Sequence, residues 1–118
     1  MQRKKITVVE DDQHIRDIID ILLTSESYEV ILCANAAEFH ASRKRLLPDL
    51  FILDMMLPDG NGIELCQELR SDIATVSIPI MVMSANVHAL KALECGADLF
   101  VQKPFDIQSF VQHVKSLL

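Results

Sequence analysis

The chain has 118 residues, half of them apolar, a length that fits a single domain with one hydrophobic core. Eleven basic and 17 acidic side chains give a net charge of −6, which argues against a nucleic-acid-binding surface and against attraction to an anionic membrane. No apolar run approaches the roughly 20 residues of a membrane span or the core of a signal peptide, so the sequence predicts a cytoplasmic protein.

Strand and helix patterns alternate from one end of the chain to the other. Apolar, often β-branched runs predict strands over residues 6–9, 28–33, 49–54, 80–83 and 99–101. Helical spacing of apolar residues predicts helices over residues 13–23, 35–45, 62–70, 87–95 and 107–118, with N-caps at Asp12, Asn35 and Asp106 and a C-cap signal at Gly96. This alternation predicts one α/β domain over residues 1–118, with a parallel sheet covered by helices on both faces.

The apolar faces of the first and last helices are the clearest in the sequence. The apolar face of the first helix consists of Ile15, Ile18, Ile19, Leu22 and Leu23, and that of the last helix consists of Ile107, Phe110, Val111, Val114, Leu117 and Leu118. Both helices are therefore expected to pack against the sheet.

Polar and charged residues follow the ends of four predicted strands. Glu10 and Asp11 follow the first strand, and Asp54 ends the third. Ser84 and Lys103 come after the fourth and fifth strands. Because the carboxyl ends of parallel strands lie at one edge of a sheet, we expect these residues to share one shallow site.

The chemistry of this set favours a hard divalent cation. Three neighbouring carboxylates repel one another, and Mg²⁺ relieves the repulsion with oxygen ligands of the kind it prefers. The cysteines and histidines show no spacing typical of zinc or redox sites, so we expect reduced cysteines and histidines that serve packing or surface roles. Lys103 can pair with Asp54 or with a phosphate oxygen, and the Ser84 hydroxyl can donate to such an oxygen. The set predicts phosphoryl transfer to an aspartate.

Several short segments of the chain match one family pattern. They are residues 8–12, 48–50, 53–58, 83–85, 96–98 and 101–106, together with Gly60 and Gly62. With these segments the chain resembles, over essentially its whole length, a receiver domain of the two-component response regulators. The resemblance implies a flavodoxin-like (βα)5 fold, a doubly wound parallel sheet with strand order 2-1-3-4-5.

The resemblance also implies roles for the metal and phosphate ligands. Asp54 matches the aspartate that accepts a phosphoryl group, and Asp11 matches the direct carboxylate ligand of Mg²⁺. Glu10 matches an acidic neighbour that acts through water, and Met56 matches the residue whose backbone carbonyl is the third protein ligand.

The switch residues follow from the same resemblance. Ser84 matches the switch hydroxyl, and Lys103 matches the family's lysine, with a cis peptide bond to Pro104. Phe100 matches the switch aromatic, which is more often Tyr and here lacks the hydroxyl. The interval between Ser84 and Lys103 is about three residues shorter than in common receivers, close to one turn of 3.6 residues, which predicts a short or shifted fourth helix.

The function implied is a signalling switch rather than an enzyme with a separate substrate. The chain would promote its own aspartyl phosphorylation and dephosphorylation, and its partners would be a sensor histidine kinase or phosphotransfer protein, with a receiver homodimer also allowed. Neither nucleic acid nor membrane is expected to bind directly.

Three other functions are possible for a sheet of this type. An aspartate-nucleophile phosphatase needs a second acid two residues after the nucleophile, where Met56 stands. A dinucleotide module needs a glycine-rich loop in place of Glu10 and Asp11. A receiver fold that serves only as an interaction module, independent of phosphorylation, remains the alternative hypothesis.

Overall fold

The computed structural model describes residues 2–85 and 94–118. The strands are β1 (Lys5–Val9), β2 (Glu29–Cys33), β3 (Leu50–Asp54), β4 (Met56–Leu57), β5 (Gly60–Asn61), β6 (Ile80–Ser84) and β7 (Leu99–Gln102). The helices with complete bounds in these ranges are α1 (Gln13–Ser25), α2 (Ala36–Arg45), α3 (Gly62–Ser71) and α4 (Ile107–Leu117). The helix predicted over residues 87–95, and the effect of the short interval on it, lie almost wholly outside the described residues.

Five strands form the parallel sheet that the sequence predicts. Their order is β2-β1-β3-β6-β7, which is the predicted order 2-1-3-4-5 once the short β4 and β5 are set aside. All four pairings in this sheet are parallel. The flavodoxin-like arrangement is therefore confirmed.

Two apolar clusters cover the two faces of the sheet. On one face, Ile52 of β3 belongs to a buried cluster with Ile19 of α1 and Phe110 of α4. On the other, Phe51 belongs to a cluster with Phe39 of α2 and the buried residues of α3. Successive residues of β3 thus point to opposite cores, which explains why this strand is apolar without alternation.

The predicted N-caps form as expected. The Asp12 carboxylate accepts a hydrogen bond from the Ile15 amide at 3.1 Å, and the Asn35 and Asp106 side chains cap α2 and α4 in the same way. The Lys103–Pro104 peptide bond is cis, and the three cysteines are free.

Two residues of these predicted apolar faces are exposed. Ile18 of α1 is 45% exposed and Ile107 of α4 is 53% exposed. Ile18 lies at the edge of the apolar stripe of α1, whereas Ile107 is the first residue of α4 and lies at the end of its stripe. Periodicity identifies the face of a helix, whereas the crossing geometry decides how much of that face is covered.

A two-stranded antiparallel hairpin follows β3, and the sequence analysis did not predict it. It pairs Met56 with Asn61 and Leu57 with Gly60, so Pro58 and Asp59 form its turn. The turn sequence Pro58-Asp59-Gly60 is the signal for it. In the described ranges, no helix is both long and apolar enough to cross a bilayer.

Candidate functional site

The ends of four parallel strands meet at one edge of the sheet, as predicted. Glu10 follows β1, Asp54 ends β3, Ser84 ends β6 and Lys103 follows β7. The register places Asp54 beside Met83 and Ser84 beside Gln102, so each residue lies within one or two positions of its neighbour's strand end. The site is built by the topology of the sheet.

Three carboxylates form a cluster at this edge. One oxygen from each of Glu10, Asp11 and Asp54 lies within 4.8 Å of the other two. Glu10 is fully buried and Asp54 is 4% exposed, whereas Asp11 is exposed to solvent. The cluster therefore has a closed side in the protein interior and an open side at Asp11.

Lys103 joins two of these carboxylates. Its Nζ donates to Glu10 Oε2 at 2.7 Å and lies 3.3 Å from Asp54 Oδ2. Asp54 or a phosphate is the partner that the sequence predicts for this lysine, and the structure adds Glu10 as the closer one. A fully buried carboxylate needs such a partner, because an isolated charge in the interior is costly. Although burial opposes it, the pKa of Lys103 is raised by the hydrogen bond to Glu10 and by the Asp54 carboxylate.

The pKa of the Asp54 carboxyl group is raised above its ordinary value. Burial and the nearby Glu10 carboxylate raise its pKa from 3.8 to about 7, while the Lys103 ammonium opposes the rise. Both causes disfavour the charged form of the acid. A divalent cation beside Asp54 would have the opposite effect and favour the carboxylate.

Arg16 holds the backbone of the acidic turn. Its Nη1 donates to the Glu10 carbonyl oxygen at 2.8 Å and to the Asp11 carbonyl oxygen at 3.3 Å. The Asp12 amide in turn donates to Glu10 Oε1 at 3.2 Å. Sequence reasoning missed Arg16, and its only signal was a basic side chain one turn inside the helix that follows the acidic residues.

The segment after Asp54 is packed tightly against it. The Met56 amide donates to Asp54 Oδ1 at 3.4 Å, while the Met56 side chain is 73% exposed. A Cβ atom on Gly62 would lie 2.5 Å from the Asp54 carbonyl oxygen, so only glycine fits there. The exposed Met56 side chain is consistent with a role for its backbone, which remains a prediction.

Ser84 and Phe100 lie beside this site on the neighbouring strands. Ser84 is 2% exposed, and its carbonyl oxygen accepts a hydrogen bond from the Lys103 amide at 2.9 Å. Phe100 is half-buried and packs against the cluster that contains Phe51 and Leu53. Their places in the sheet agree with the predicted ones, and their part in a switch is still a prediction.

The chain is similar in sequence to full-length bacterial regulators. It is 37% identical to the phosphate regulon transcriptional regulatory protein PhoB of Pseudomonas aeruginosa, with the match covering all of this chain and 53% of PhoB. It is 33% identical to the DNA-binding response regulator MtrA of Mycolicibacterium smegmatis, with the match covering 98% of this chain and 51% of MtrA. The chain thus spans about half the length of these relatives.

The chain is also similar to solved structures of receiver domains. The signal receiver domain of a signal transduction histidine kinase from Syntrophus aciditrophicus has a TM-score of 0.90 and 29% identity, covering 98% of this chain and 89% of the other. The receiver domain of the sensor histidine kinase PA1611 from Pseudomonas aeruginosa, which has magnesium coordinated in its active site cleft, has a TM-score of 0.89. Its identity is 24%, with 98% of both chains covered, so this likeness concerns the fold alone.

Family membership follows from these matches and from the convergence of the strand ends. Residues 6–115 match the family described as the response regulator receiver domain. Receiver domains of response regulators are signalling switches. The chain belongs to the family of response regulator receiver domains.

Proposed function

We propose that this chain is the phosphoacceptor switch of a two-component response regulator, with Asp54 as the residue that becomes phosphorylated. The observation that carries the proposal is the contact set at the sheet edge: three carboxylates within 4.8 Å of one another, with Lys103 at 2.7 Å and 3.3 Å from two of them. With all three carboxylates ionised, the ammonium of Lys103 leaves a net charge of about −2, which suits a divalent cation.

The donor set fits Mg²⁺ better than a softer metal. All three acidic side chains offer oxygen, and Asp11 faces solvent, so bound water could complete the coordination. Asp11 and Asp54 would hold the cation directly, with the Met56 carbonyl as the third protein ligand and Glu10 acting through water. The cation would supply charge neutralisation for the phosphoryl group. The magnesium ion in the PA1611 receiver is the precedent for this choice.

The transfer itself requires little covalent chemistry from the rest of the chain. An ionised Asp54 oxygen forms a bond to phosphorus as the bond from phosphorus to a histidine nitrogen of the donor breaks, giving an acyl phosphate and a free imidazole. Lys103 follows the negative charge as it moves from Asp54 to the phosphoryl oxygens, and the Ser84 hydroxyl donates to one of these oxygens. Positioning and electrostatic stabilisation account for most of the rate in such reactions. Hydrolysis of the acyl phosphate by the same site returns the switch to its resting state.

Phosphorylation would alter the surface beside Ser84 and Phe100. The new group brings up to about two negative charges and several acceptor oxygens. Phe100 has no hydroxyl to bond in either state, so its contribution is packing alone. Moving such an equilibrium from 1:99 to 99:1 requires about 5.5 kcal/mol, and a single hydrogen bond provides about 1 kcal/mol. The response is therefore shared among several contacts.

The partners follow from this role. The donor is a sensor histidine kinase or a phosphotransfer protein, and a homodimer of receivers is a further candidate. The net charge of −6 does not favour direct nucleic-acid binding by residues 1–118, which we treat as one domain. We expect the chain to act in the cytoplasm. No observation within residues 2–85 and 94–118 favours the alternative of an interaction module without phosphorylation.

The direct test is phosphorylation by a small donor. The wild-type chain, incubated with acetyl phosphate and Mg²⁺, is expected to gain one acid-labile phosphoryl group by intact-protein mass spectrometry. Asp54→Asn should gain none, and Asp49→Asn, immediately before the same strand, should behave as the wild type. Equal incorporation by wild type and Asp54→Asn would remove Asp54 from this role. In a parallel titration, Asp11→Asn should raise the Mg²⁺ concentration at half-saturation.

A further inference from the structure

The hairpin after Asp54 is tied to a helix far away in the sequence. Asp59, in the turn between β4 and β5, accepts hydrogen bonds from the first two amides of α2: Oδ1 from Ala36 at 2.7 Å, and Oδ2 from Ala37 at 3.0 Å. More than 20 residues separate the partners. This contact is therefore a tertiary link and not a local cap.

Asp59 completes the hydrogen bonding of the α2 N-terminus. The Asn35 side chain accepts from the Glu38 amide at 2.8 Å and leaves the two preceding amides without a partner inside the helix. Those two are the amides that Asp59 takes. The same bonds lower the pKa of Asp59, the larger effect coming from the Ala36 amide. A carboxylate also suits the positive end of the helix dipole.

Packing and further hydrogen bonds join the hairpin to its surroundings. The α-carbon side of Gly60 faces Ala36, since a Cβ added to Gly60 would lie 3.6 Å from the Ala36 Cβ. At the other end of the hairpin, the Gly62 amide donates to the Met55 carbonyl oxygen at 3.0 Å. The Met56 peptide therefore lies between the Asp54 carboxylate on one side and a hairpin fixed to α2 on the other.

We propose that Asp59 is a positioning residue for the divalent cation, because it fixes to α2 the hairpin that presents the Met56 carbonyl. This inference rests on the proposed function, which makes that carbonyl a ligand. Asp59 itself touches neither the cation nor the phosphoryl group. Removing the Asp59 carboxylate leaves every proposed ligand of the cation in the chain, but it releases the hairpin that carries one of them, the Met56 carbonyl.

The test compares Asp59→Ala with a variant that weakens the same helix end without releasing the hairpin. Asn35→Ala removes the bond to the Glu38 amide and leaves both Asp59 bonds in place. Asp59→Asn keeps one acceptor oxygen and serves as the conservative variant. For each protein, the initial rate of phosphorylation by acetyl phosphate is measured over a range of Mg²⁺ concentrations, and the melting temperature is measured without metal.

We expect Asp59→Ala to raise the Mg²⁺ concentration for half-maximal rate about tenfold, at the lower end of the losses seen when residues behind metal ligands are removed. Its rate at saturating Mg²⁺ should stay within about twofold of the wild type, because bound cation restores the geometry. Asp59→Asn should be intermediate. Asn35→Ala should lower the melting temperature and leave the Mg²⁺ dependence within about twofold of the wild type.

Four outcomes would overturn the inference. If Asp59→Ala has the wild-type Mg²⁺ dependence, or if Asn35→Ala shifts it as much as Asp59→Ala does, the effect is not one of hairpin positioning. A rate that falls equally at all Mg²⁺ concentrations would indicate loss of folded protein only. If the wild type itself shows no Mg²⁺-dependent phosphorylation, the proposed function fails first and the role of Asp59 fails with it.

Discussion

Replacing Asp54 with asparagine should stabilise the metal-free fold, even though it removes the residue on which the proposed function depends. Burial and Glu10 raise the pKa of Asp54 from 3.8 to about 7. At about 1.4 kcal/mol for each pKa unit, ionising this group inside the folded protein costs about 4 kcal/mol at most. Asparagine has nearly the same shape and carries no charge, so the free energy of unfolding of Asp54→Asn at pH 8 should exceed that of the wild type by about 2–4 kcal/mol.

The pH dependence makes this prediction specific. An acid whose pKa is raised by folding holds its proton in the native state while the unfolded chain has released it, so wild-type stability falls as pH rises between 3.8 and about 7. The asparagine variant lacks this loss. The difference in free energy of unfolding between Asp54→Asn and the wild type should therefore be about 2–3 kcal/mol smaller at pH 5 than at pH 8.

Urea unfolding followed by far-ultraviolet circular dichroism, in buffers containing a chelator, measures both quantities. Asp49→Asn makes the same change of charge at an exposed position, and it should change the free energy of unfolding by less than about 0.5 kcal/mol. Saturating Mg²⁺ should then favour the wild type, by about 2.7 kcal/mol at 100 times the dissociation constant. An Asp54→Asn advantage that is equal at pH 5 and pH 8, or that is absent at both, would show that the burial and Glu10 argument is incorrect.

Two further predictions concern the packing and the charge balance of the site, both measured by urea unfolding without metal. Gly62→Ala should lower the free energy of unfolding by about 2 kcal/mol or more, because the added Cβ would lie 2.5 Å from the Asp54 carbonyl oxygen. The control Gly60→Ala, whose added Cβ would lie 3.6 Å from its nearest neighbour, should lower it by less than about 1 kcal/mol. Similar losses in the two variants would refute the clash at Gly62. Lys103→Met should lower the free energy of unfolding by about 3 kcal/mol, because it leaves the buried Glu10 carboxylate without its ammonium partner. The control Lys115→Met removes a lysine from an exposed ion pair and should lower it by less than about 1 kcal/mol. A Lys103→Met variant as stable as the wild type would contradict the pairing.

Much of the candidate site could be predicted because its information is local. Each functional residue stands next to an apolar run, and the alternation of strands with helices requires the sheet to be parallel. Those two facts bring Glu10, Asp54, Ser84 and Lys103 to one edge without any knowledge of side-chain contacts. Cap residues such as Asn35 were also predictable, because a cap bonds to amides within three residues of itself.

The rest depended on pairs of residues whose distance no local pattern sets. Lys103 lies closer to Glu10, at 2.7 Å, than to Asp54, at 3.3 Å, and nothing local in the sequence sets this difference. The bonds of Asp59 to α2 require the path of a hairpin across 22 or 23 residues of intervening chain.

The exposure of Ile18 and Ile107 has the same origin. Spacing in the sequence tells which side of a helix is apolar, and only the packed arrangement tells where its neighbour ends. The sequence by itself therefore determined the parallel sheet and the residues at its strand ends, and the family resemblance supplied the order of the strands. The tertiary structure alone decided the partners of those residues, because burial and approach distance arise only when the separate segments are assembled.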